Sequence, residues 1–309
     1  MRSRLYLSLL LALFPLFLLA QLPVTRNSTK PKAKPKTEQA AKPTPAKKKT
    51  NQPAKPSAGQ RSNAASSSAS SSRQSISSQT FAANGVSFDM MYVKGGTFTM
   101  GATSEQGSDA YDDEKPTHRV TLSSFYIGKY EVTQALWKAV MGSNPSNWKG
   151  DNLPVEMISW NDCRDFIRKL NALTGKNFRL PTEAEWEFAA RGGNNSRGYK
   201  YAGSNNIGDV AWYKGNSGNK THVVGTKSPN ELGLYDMSGN VWEWCQDWYG
   251  SYSSASQTNP TGTNSGSSRV RRGGSWINIA RNCRSSNRDG NRPGNRSNSE
   301  GLRLVLSQL

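Results

Sequence analysis

The central part of the chain has apolar residues at the spacing of short amphipathic helices. Thr133 precedes the segment 134–141 and a glycine follows it, which predicts a short helix with a side-chain cap at its start and a left-handed residue at its end. Farther along, Thr182 and Glu185 have the spacing of a capping box. This pair predicts another short helix, which ends at about Arg191.

A longer helix is predicted between these two. Ser159 or Asn161 is its cap, and Gly175 follows its last turn. Its apolar residues return every three or four positions: Cys163, Phe166, Ile167 and Leu170. This periodicity places Cys163 in the core, so we interpret it as a buried cysteine and not as a metal ligand.

Short strands are predicted on both sides of the helical region. Residues 88–93 precede a Gly-Gly turn, and residues 95–101 begin with it. In residues 118–126, and again in residues 301–305 near the end of the chain, apolar and polar positions alternate as in a strand. Beyond Gly192 no further helix is predicted, because Gly, Asn and Ser recur throughout this part of the sequence. The pattern predicts an irregular α+β domain with few short helices, short strands and much loop.

Charge and composition divide the chain into an N-terminal tail and one domain. Residues 1–80 contain 14 of the 40 lysines and arginines and one of the 22 acids, whereas all nine tryptophans lie between residues 137 and 276. The basic Lys/Pro run and the Ser-rich run within residues 21–80 cannot form a core, which predicts a disordered tether. The folded domain is therefore predicted over residues 81–309.

The first 20 residues resemble a secretory signal. Arg2 and Arg4 precede the apolar run 5–19, and Ala20 is a small residue before a plausible cleavage point. An uncleaved membrane anchor is the alternative, although the run is shorter than the roughly 20 residues of a span. The expected location is the periplasm, the cell surface or the exterior. There the basic tether is a solvated spacer or contacts an anionic cell surface, and we expect no nucleic-acid partner.

The three cysteines of the chain are Cys163, Cys245 and Cys283. In an exported protein they would allow one disulfide with one thiol left over, in any of three pairings.

The segment between Trp276 and Gly301 is rich in Asn, Ser, Arg and Gly, with little that is apolar. Such residues favour turns and local backbone hydrogen bonds. We therefore predict that this segment, called the C-terminal stretch (residues 277–299), forms a surface.

Six motifs occur in a characteristic order along the domain: 95–101 (GGTFTMG), 131–134 (EVTQ), 159–162 (SWND), 179–187 (RLPTEAEWE), 239–244 (GNVWEW) and 272–276 (RGGSW). With them the chain resembles the formylglycine-generating enzyme (sulfatase-modifying factor) family over residues 86–306. The resemblance implies an irregular fold like that of a C-type lectin. It says less about activity, because one fold hosts many functions.

Enzymes of that family oxidise a substrate cysteine with O2 and a copper(I) ion held by two cysteines. The matching positions here are Asn278 and Cys283, so one thiolate of the pair is missing. Ser275 and Trp242 match residues that line the oxygen-side pocket, and with Cys283 they are the catalytic candidates if the protein is an oxidase. We expect neither Cu(I) binding nor cysteine-oxidase activity, although the enzyme class stays open.

The resemblance also implies a structural calcium site. Asp236 and Glu243 would supply carboxylate oxygens, and Gly239 and Val241 backbone carbonyls, which are hard ligands suited to Ca²⁺. The alternative is a tight turn in which Glu243 pairs with an arginine.

The C-terminal stretch further resembles the variable region of proteins that are targets of diversity-generating retroelements. By that resemblance the candidate ligand-binding positions are Ile277, Asn278, Ile279, Asn282, Ser285, Ser286, Asn287, Asp289, Asn291, Asn295, Ser297 and Ser299. The predicted function is a binding or display module for an unknown protein or surface ligand. The alternatives are a copper-dependent formylglycine-generating oxidase and a structural component of an envelope secretion or gliding machine.

Overall fold

The computed structural model of the protein describes residues 77–307, and the predicted signal peptide and nearly all of the predicted tether lie outside them. The α-helices are α1 Gln134–Met141, α2 Trp160–Thr174, α3 Glu183–Ala190 and α4 Ile207–Val210. The strands are β1 Ser78–Ala83, β2 Val86–Val93, β3 Gly96–Met100, β4 His118–Leu122, β5 Phe125–Gly128, β6 Phe178–Arg179, β7 Ala211–Trp212, β8 Ser238–Gly239, β9 Trp242–Trp248, β10 Gln257–Thr258, β11 Arg269–Arg272, β12 Arg288–Asn291, β13 Glu300–Gly301 and β14 Val305–Ser307.

The two ends of the described chain meet in one antiparallel sheet. Its order is β1-β2-β5-β14-β6, so the last strand lies between strands from the first third of the domain and β6. Helices α1 and α2 pack on this sheet around an apolar cluster that includes Trp137 and Phe166, whose rings stack 4.8 Å apart.

The C-terminal stretch is attached to a second sheet of order β12-β11-β9-β13. Strand β11 pairs antiparallel with both β9 and β12, and β13 pairs parallel with β9. Smaller sheets of order β10-β4-β3 and β7-β8 complete the domain. The prediction of an α+β domain with few short helices, short strands and much loop is confirmed.

The three helix predictions are also confirmed. The Thr133, Ser159 and Thr182 side chains each accept a hydrogen bond from the backbone N–H three residues on, so Ser159 and not Asn161 is the cap of α2. One helix was missed. The single turn α4 starts after Asn206, which caps it, but four residues are too few for apolar periodicity to reveal it.

Two strand predictions were wrong in detail. Residues 118–126 form two strands in different sheets, because the chain turns at Ser123 and Ser124 between β4 and β5. Residues 301–305 are not one alternating strand, because β13 ends at Gly301 and β14 begins at Val305. Leu302, Arg303 and Leu304 between them are all buried.

The three cysteines are free and fully buried, so the disulfide considered above does not form. They lie in three different apolar clusters: Cys163 between α2 and the five-stranded sheet, Cys245 beside α3, and Cys283 beside Tyr201. The prediction that Cys163 is a core residue is confirmed.

The folded part begins slightly earlier than predicted, since β1 starts at Ser78 and not near Phe81. Among residues 77–307, no helix has both the length and the apolar character needed to cross a membrane.

Candidate functional site

The C-terminal stretch is not wholly a surface, and this part of the prediction was wrong. Ser285, Ser286 and Asn287 are at most 1% exposed, and Ser299 is 8% exposed. Ile277 and Ile279, in contrast, are 51% and 52% exposed. Polar composition alone did not reveal this division, because the buried half is held by charged partners from distant parts of the chain.

Buried arginine–glutamate pairs form the interior beneath the stretch. Four arginines are at most 4% exposed, and each binds a buried glutamate; the pairs are Arg272–Glu187, Arg284–Glu114, Arg288–Glu183 and Arg303–Glu243. A planar guanidinium with five donors suits a carboxylate and can bind backbone carbonyls at the same time. These pairs constitute a polar core.

The arginines also bind backbone carbonyls, most of which lie in loops. Arg272 donates to the carbonyls of Ser285 and Ser286, with N···O distances of 3.1 and 2.7 Å. Arg303 donates to the carbonyls of Gly128 and Tyr235, both at 2.8 Å. Buried backbone groups need such partners. The arginines therefore allow irregular chain to be buried here.

The electrostatic balance differs among the buried acids. Burial opposes ionisation of Glu183, but Arg288 and Arg272 outweigh it and lower the pKa of this carboxyl. Asp247, beside Glu183, has no such partner. Its burial, followed by the charge of Glu183, raises its pKa to about 8.

Asp247 is expected to make stability depend on pH. Because its pKa is higher in the folded state than in the unfolded chain, the folded state holds the proton more tightly, and the free energy of unfolding falls as pH rises from about 4 to 8. In Asp247→Asn, a side-chain carbonyl can still accept the Glu183 N–H bond of 2.9 Å. We expect this variant to be more stable than the wild type at pH 8, by on the order of 2 kcal/mol, with a smaller difference at pH 5.

Urea denaturation of both proteins between pH 5 and 8 measures this difference directly. Comparing the two curves removes the contribution of other titrating groups. Parallel curves would contradict the assignment of the pH dependence to Asp247.

The exposed part of the C-terminal stretch is displayed on a fixed backbone. The N–H of Trp276 donates to the carbonyl of Asn240 at 2.8 Å, and the N–H of Lys214 donates to the carbonyl of Asn278 at 2.9 Å. Ile277 lies between these two bonds. Ile279 follows the second, and its own carbonyl accepts a hydrogen bond from the N–H of Asn282 at 3.0 Å. Two large apolar side chains are thus held in water at positions where the backbone is anchored on both sides.

A second, partly exposed group surrounds Arg271. Its guanidinium binds Asp289 at 2.6 Å, and it also pairs with Glu300, which accepts a hydrogen bond from Asn291. Asn295 donates to Asn291 at 2.7 Å. Among the candidate ligand-binding positions, those accessible to a ligand are Ile277, Asn278, Ile279, Asn282, Asp289, Asn291, Asn295 and Ser297, while Ser285, Ser286, Asn287 and Ser299 lie beneath them.

The positions that correspond to the family's copper site lie together around Ser275. The Ser275 hydroxyl and the Asn278 side-chain oxygen are 2.5 Å apart, and the Cys283 thiol donates to the carbonyl of Ile279, with an S···O distance of 3.8 Å. Gly274 has a φ of +74°, and a Cβ there would lie 2.7 Å from Cys283 Sγ, so the backbone itself covers the thiol. Trp242 is buried on β9, and the Arg271 guanidinium lies over its ring, 4.9 Å from the ring centre.

These residues do not fit a copper(I) ion held by two thiolates. Asn278 offers a neutral amide, whose oxygen already interacts with Ser275, and Cys283 is the one sulfur of the pair. A soft ion such as Cu(I) favours thiolates over amides. The catalytic assignment of Cys283, Ser275 and Trp242 therefore stays conditional on an oxidase activity that this donor set does not favour.

The predicted calcium ligands are arranged as in the alternative interpretation. Both oxygens of Glu243 contact Arg303, at 2.7 and 2.9 Å, and one also accepts a hydrogen bond from Trp186. One oxygen of Asp236 is buried without a hydrogen-bond partner. With Gly239 and Val241 carbonyls, this set does not fit calcium unless Glu243 leaves Arg303. Calcium binding stays a prediction, which a higher melting temperature in calcium than in a chelator would support.

Within residues 77–307, no cluster of three His, Cys, Asp or Glu side chains has a geometry that could hold a metal ion. The residues that sequence reasoning missed are the four buried arginines. Two of them, Arg284 and Arg288, lie in the C-terminal stretch, where the abundance of arginine and the scarcity of apolar residues were the available signal.

The architecture defines the class of protein. This architecture is the irregular fold shared by formylglycine-generating enzymes and C-type-lectin-like proteins. The family model of the sulfatase-modifying factor enzyme 1-like domain matches residues 77–308, and the chain belongs to that family.

Similar proteins have different names. The chaperone protein LppX of Paenibacillus barcinonensis is 34% identical over 273 residues, covering 72% of this chain and 91% of the relative. The formylglycine-generating enzyme of Mus musculus is 31% identical over 256 residues, covering 61% and 66%. The solved structure of Treponema denticola variable protein 1 has a TM-score of 0.69 and 34% identity, covering 75% of this chain and 99% of that one.

Proposed function

We propose that this protein is an exported binding module that recognises a protein or surface ligand through the exposed positions of its C-terminal stretch, without cysteine-oxidase activity. The observation that carries the proposal is the pair of half-exposed isoleucines, Ile277 and Ile279, on an anchored backbone. Their side chains flank Asn278, which stands where the family's enzymes have a copper-binding cysteine.

Physical arguments support recognition at this surface. Exposed large apolar side chains gain free energy when a partner removes them from water, and a fixed backbone reduces the entropy lost on binding. The neighbouring Asn278 and Asn282 supply adaptable hydrogen-bonding groups, as polar residues do in antibody binding loops. The similarity to Treponema denticola variable protein 1 agrees with such a role.

Export rests on the N-terminal sequence, with its basic start and apolar run before Ala20. Cell fractionation and N-terminal sequencing of the native protein test it. A protein recovered from the cytoplasm with Met1 intact would contradict export.

The recognition surface is tested by a pair of variants on ligand arrays of cell-surface glycans and proteins. The double variant Ile277→Ser/Ile279→Ser is expected to fold normally and to lose ligands that the wild type binds. Leu173→Ser is the matched control, because Leu173 is 49% exposed on α2, away from the stretch in sequence. The proposal fails if the double variant and the control retain the same ligands as the wild type.

A further inference from the structure

A cleft between α2, β6 and strands β9 and β11 of the second sheet has an unbalanced charge. Its volume is about 620 Å³, and its ten lining residues include four arginines and no acid. The lining consists of Trp160, Arg164, Ile167, Arg168, Asn171, Phe178, Arg179, Leu180, Gln246 and Arg269. This volume lies within the range of small-molecule sites, about 300–1,000 Å³.

Two of these arginines are already neutralised. Arg168 pairs with Asp165 at 3.0 Å, and Arg179 pairs with Glu185 at 2.6 Å. Arg164 and Arg269, in contrast, have no carboxylate within ion-pair distance among residues 77–307. The cleft therefore holds two positive charges that the described chain leaves unpaired.

Both unpaired guanidiniums are fixed by aromatic rings. Arg269 lies 3.4 Å from the ring centre of Trp248 and 4.0 Å from that of Trp160. Arg164 lies 5.1 Å from the same ring of Trp160. Such stacking orients a guanidinium while leaving its N–H groups at the ring edge free to bind a ligand.

Arg269 also has an unused donor. One terminal nitrogen donates to the carbonyl of Gln246 at 2.7 Å, but its buried Nε has no hydrogen-bond partner. A buried donor without a partner is costly, and a ligand acceptor that reaches this donor would remove that cost. Burial, followed by the charge of Arg164, lowers the pKa of Arg269 by more than the charge of Asp247 raises it.

We propose that this cleft binds a ligand carrying an anionic oxygen group, either a carboxylate or a phosphate or sulfate ester, joined to an apolar or aromatic part. The anionic group would bind Arg164 and Arg269, since guanidinium groups match the geometry of such oxyanions. The apolar part would contact Ile167, Phe178 and Leu180.

The site uses none of the candidate recognition positions and none of the copper or calcium positions. Its success or failure is therefore independent of the proposed function.

Isothermal titration calorimetry of the full chain tests the proposal with four probes: inorganic phosphate, inorganic sulfate, phenyl phosphate and phenylacetate. We expect phenyl phosphate or phenylacetate to bind more tightly than the inorganic ions, because only they reach the apolar wall. Which of the two binds better identifies the anionic group. Binding is expected to weaken about tenfold or more in Arg164→Gln and Arg269→Gln.

Arg168→Gln is the matched control, because it removes the same charge from the rim of the same cleft but from an arginine that has a carboxylate partner. Its affinity is expected to stay within about twofold of the wild type. Arg164 is exposed, so Arg164→Gln keeps the test valid even if Arg269→Gln unfolds. The proposal is overturned if no probe binds the wild type, or if all three variants bind alike, as they would if the basic residues before position 77 held the anion.

Discussion

Arg303→Leu is expected to lower the free energy of unfolding by about 3–5 kcal/mol. Arg303 and Glu243 are both essentially inaccessible to water, and the substitution leaves the Glu243 charge buried with Trp186 as its remaining side-chain donor. The carbonyls of Gly128 and Tyr235 lose a donor as well. Urea denaturation monitored by tryptophan fluorescence measures the loss.

The matched control for this change is Arg296→Leu. Arg296 forms a two-bond pair with Asp162 of similar geometry, but its side chain is 54% exposed. Exposed pairs contribute about 0–1 kcal/mol, so burial and not pairing as such decides the size of the effect. Adding Glu243→Leu to Arg303→Leu should regain part of the loss, since no buried charge is then left alone. Equal losses in the Arg303 and Arg296 variants would contradict the polar core.

Arg284→Leu is expected to have an effect of similar size, about 3–5 kcal/mol. Arg284 is fully buried within the C-terminal stretch and binds Glu114, whose carboxylate also accepts a hydrogen bond from Ser286. The substitution leaves Glu114 charged and buried. Glu114 lies in the segment before β4. The C-terminal stretch and this segment should therefore both lose the contact that anchors them to each other.

Arg292→Leu provides the comparison within the same stretch. Arg292 is exposed, and surface substitutions usually change stability by no more than about 0.5 kcal/mol. Equilibrium unfolding in urea at pH 7 measures the free energy of unfolding of the Arg284→Leu and Arg292→Leu variants. A loss below about 1 kcal/mol for Arg284→Leu would mean that the stretch behaves as a surface throughout, as its composition first suggested.

Local signals predicted the helices well. The caps Thr133, Ser159 and Thr182 act within three residues of themselves, so their effect is visible in the sequence. Ordered motifs identified the fold. Strand ends were less predictable, because tertiary pairing and not alternation decides where β13 and β14 begin and end.

The polar core could not be predicted from local patterns. Arg284 and Glu114 are separated by 170 residues, and Arg303 and Glu243 by 60. A run of Asn, Ser and Arg looks the same whether its arginines meet water or distant glutamates. Family resemblance placed Asn278 and Cys283 in one region, where Asn278 contacts Ser275 and Cys283 lies against the backbone of Gly274. It could not separate exposed Ile277 and Ile279 from buried Ser285.

The separation of exposed from buried positions determines which residues of the C-terminal stretch can be substituted without loss of stability. Substitutions at exposed Ile277 and Ile279 are expected to have little effect on the core, and under the proposed function they would change ligand contacts. Substitutions at Ser286, whose hydroxyl binds Glu114, disturb a buried ion pair. A recognition surface supported by a separate polar core would tolerate changes at its exposed positions.

The most direct test of the central claim, that this chain is a binding module and not a copper oxidase, is an anaerobic Cu(I) titration of the full chain against a competing chelator. The account predicts that the wild type and Cys283→Ser bind Cu(I) equally weakly, because Asn278 cannot replace a thiolate. Asn278→Cys, which restores the second sulfur beside Ser275, is the positive control and is expected to gain affinity. Tight binding of one Cu(I) by the wild type that is lost in Cys283→Ser would contradict the account and favour the oxidase.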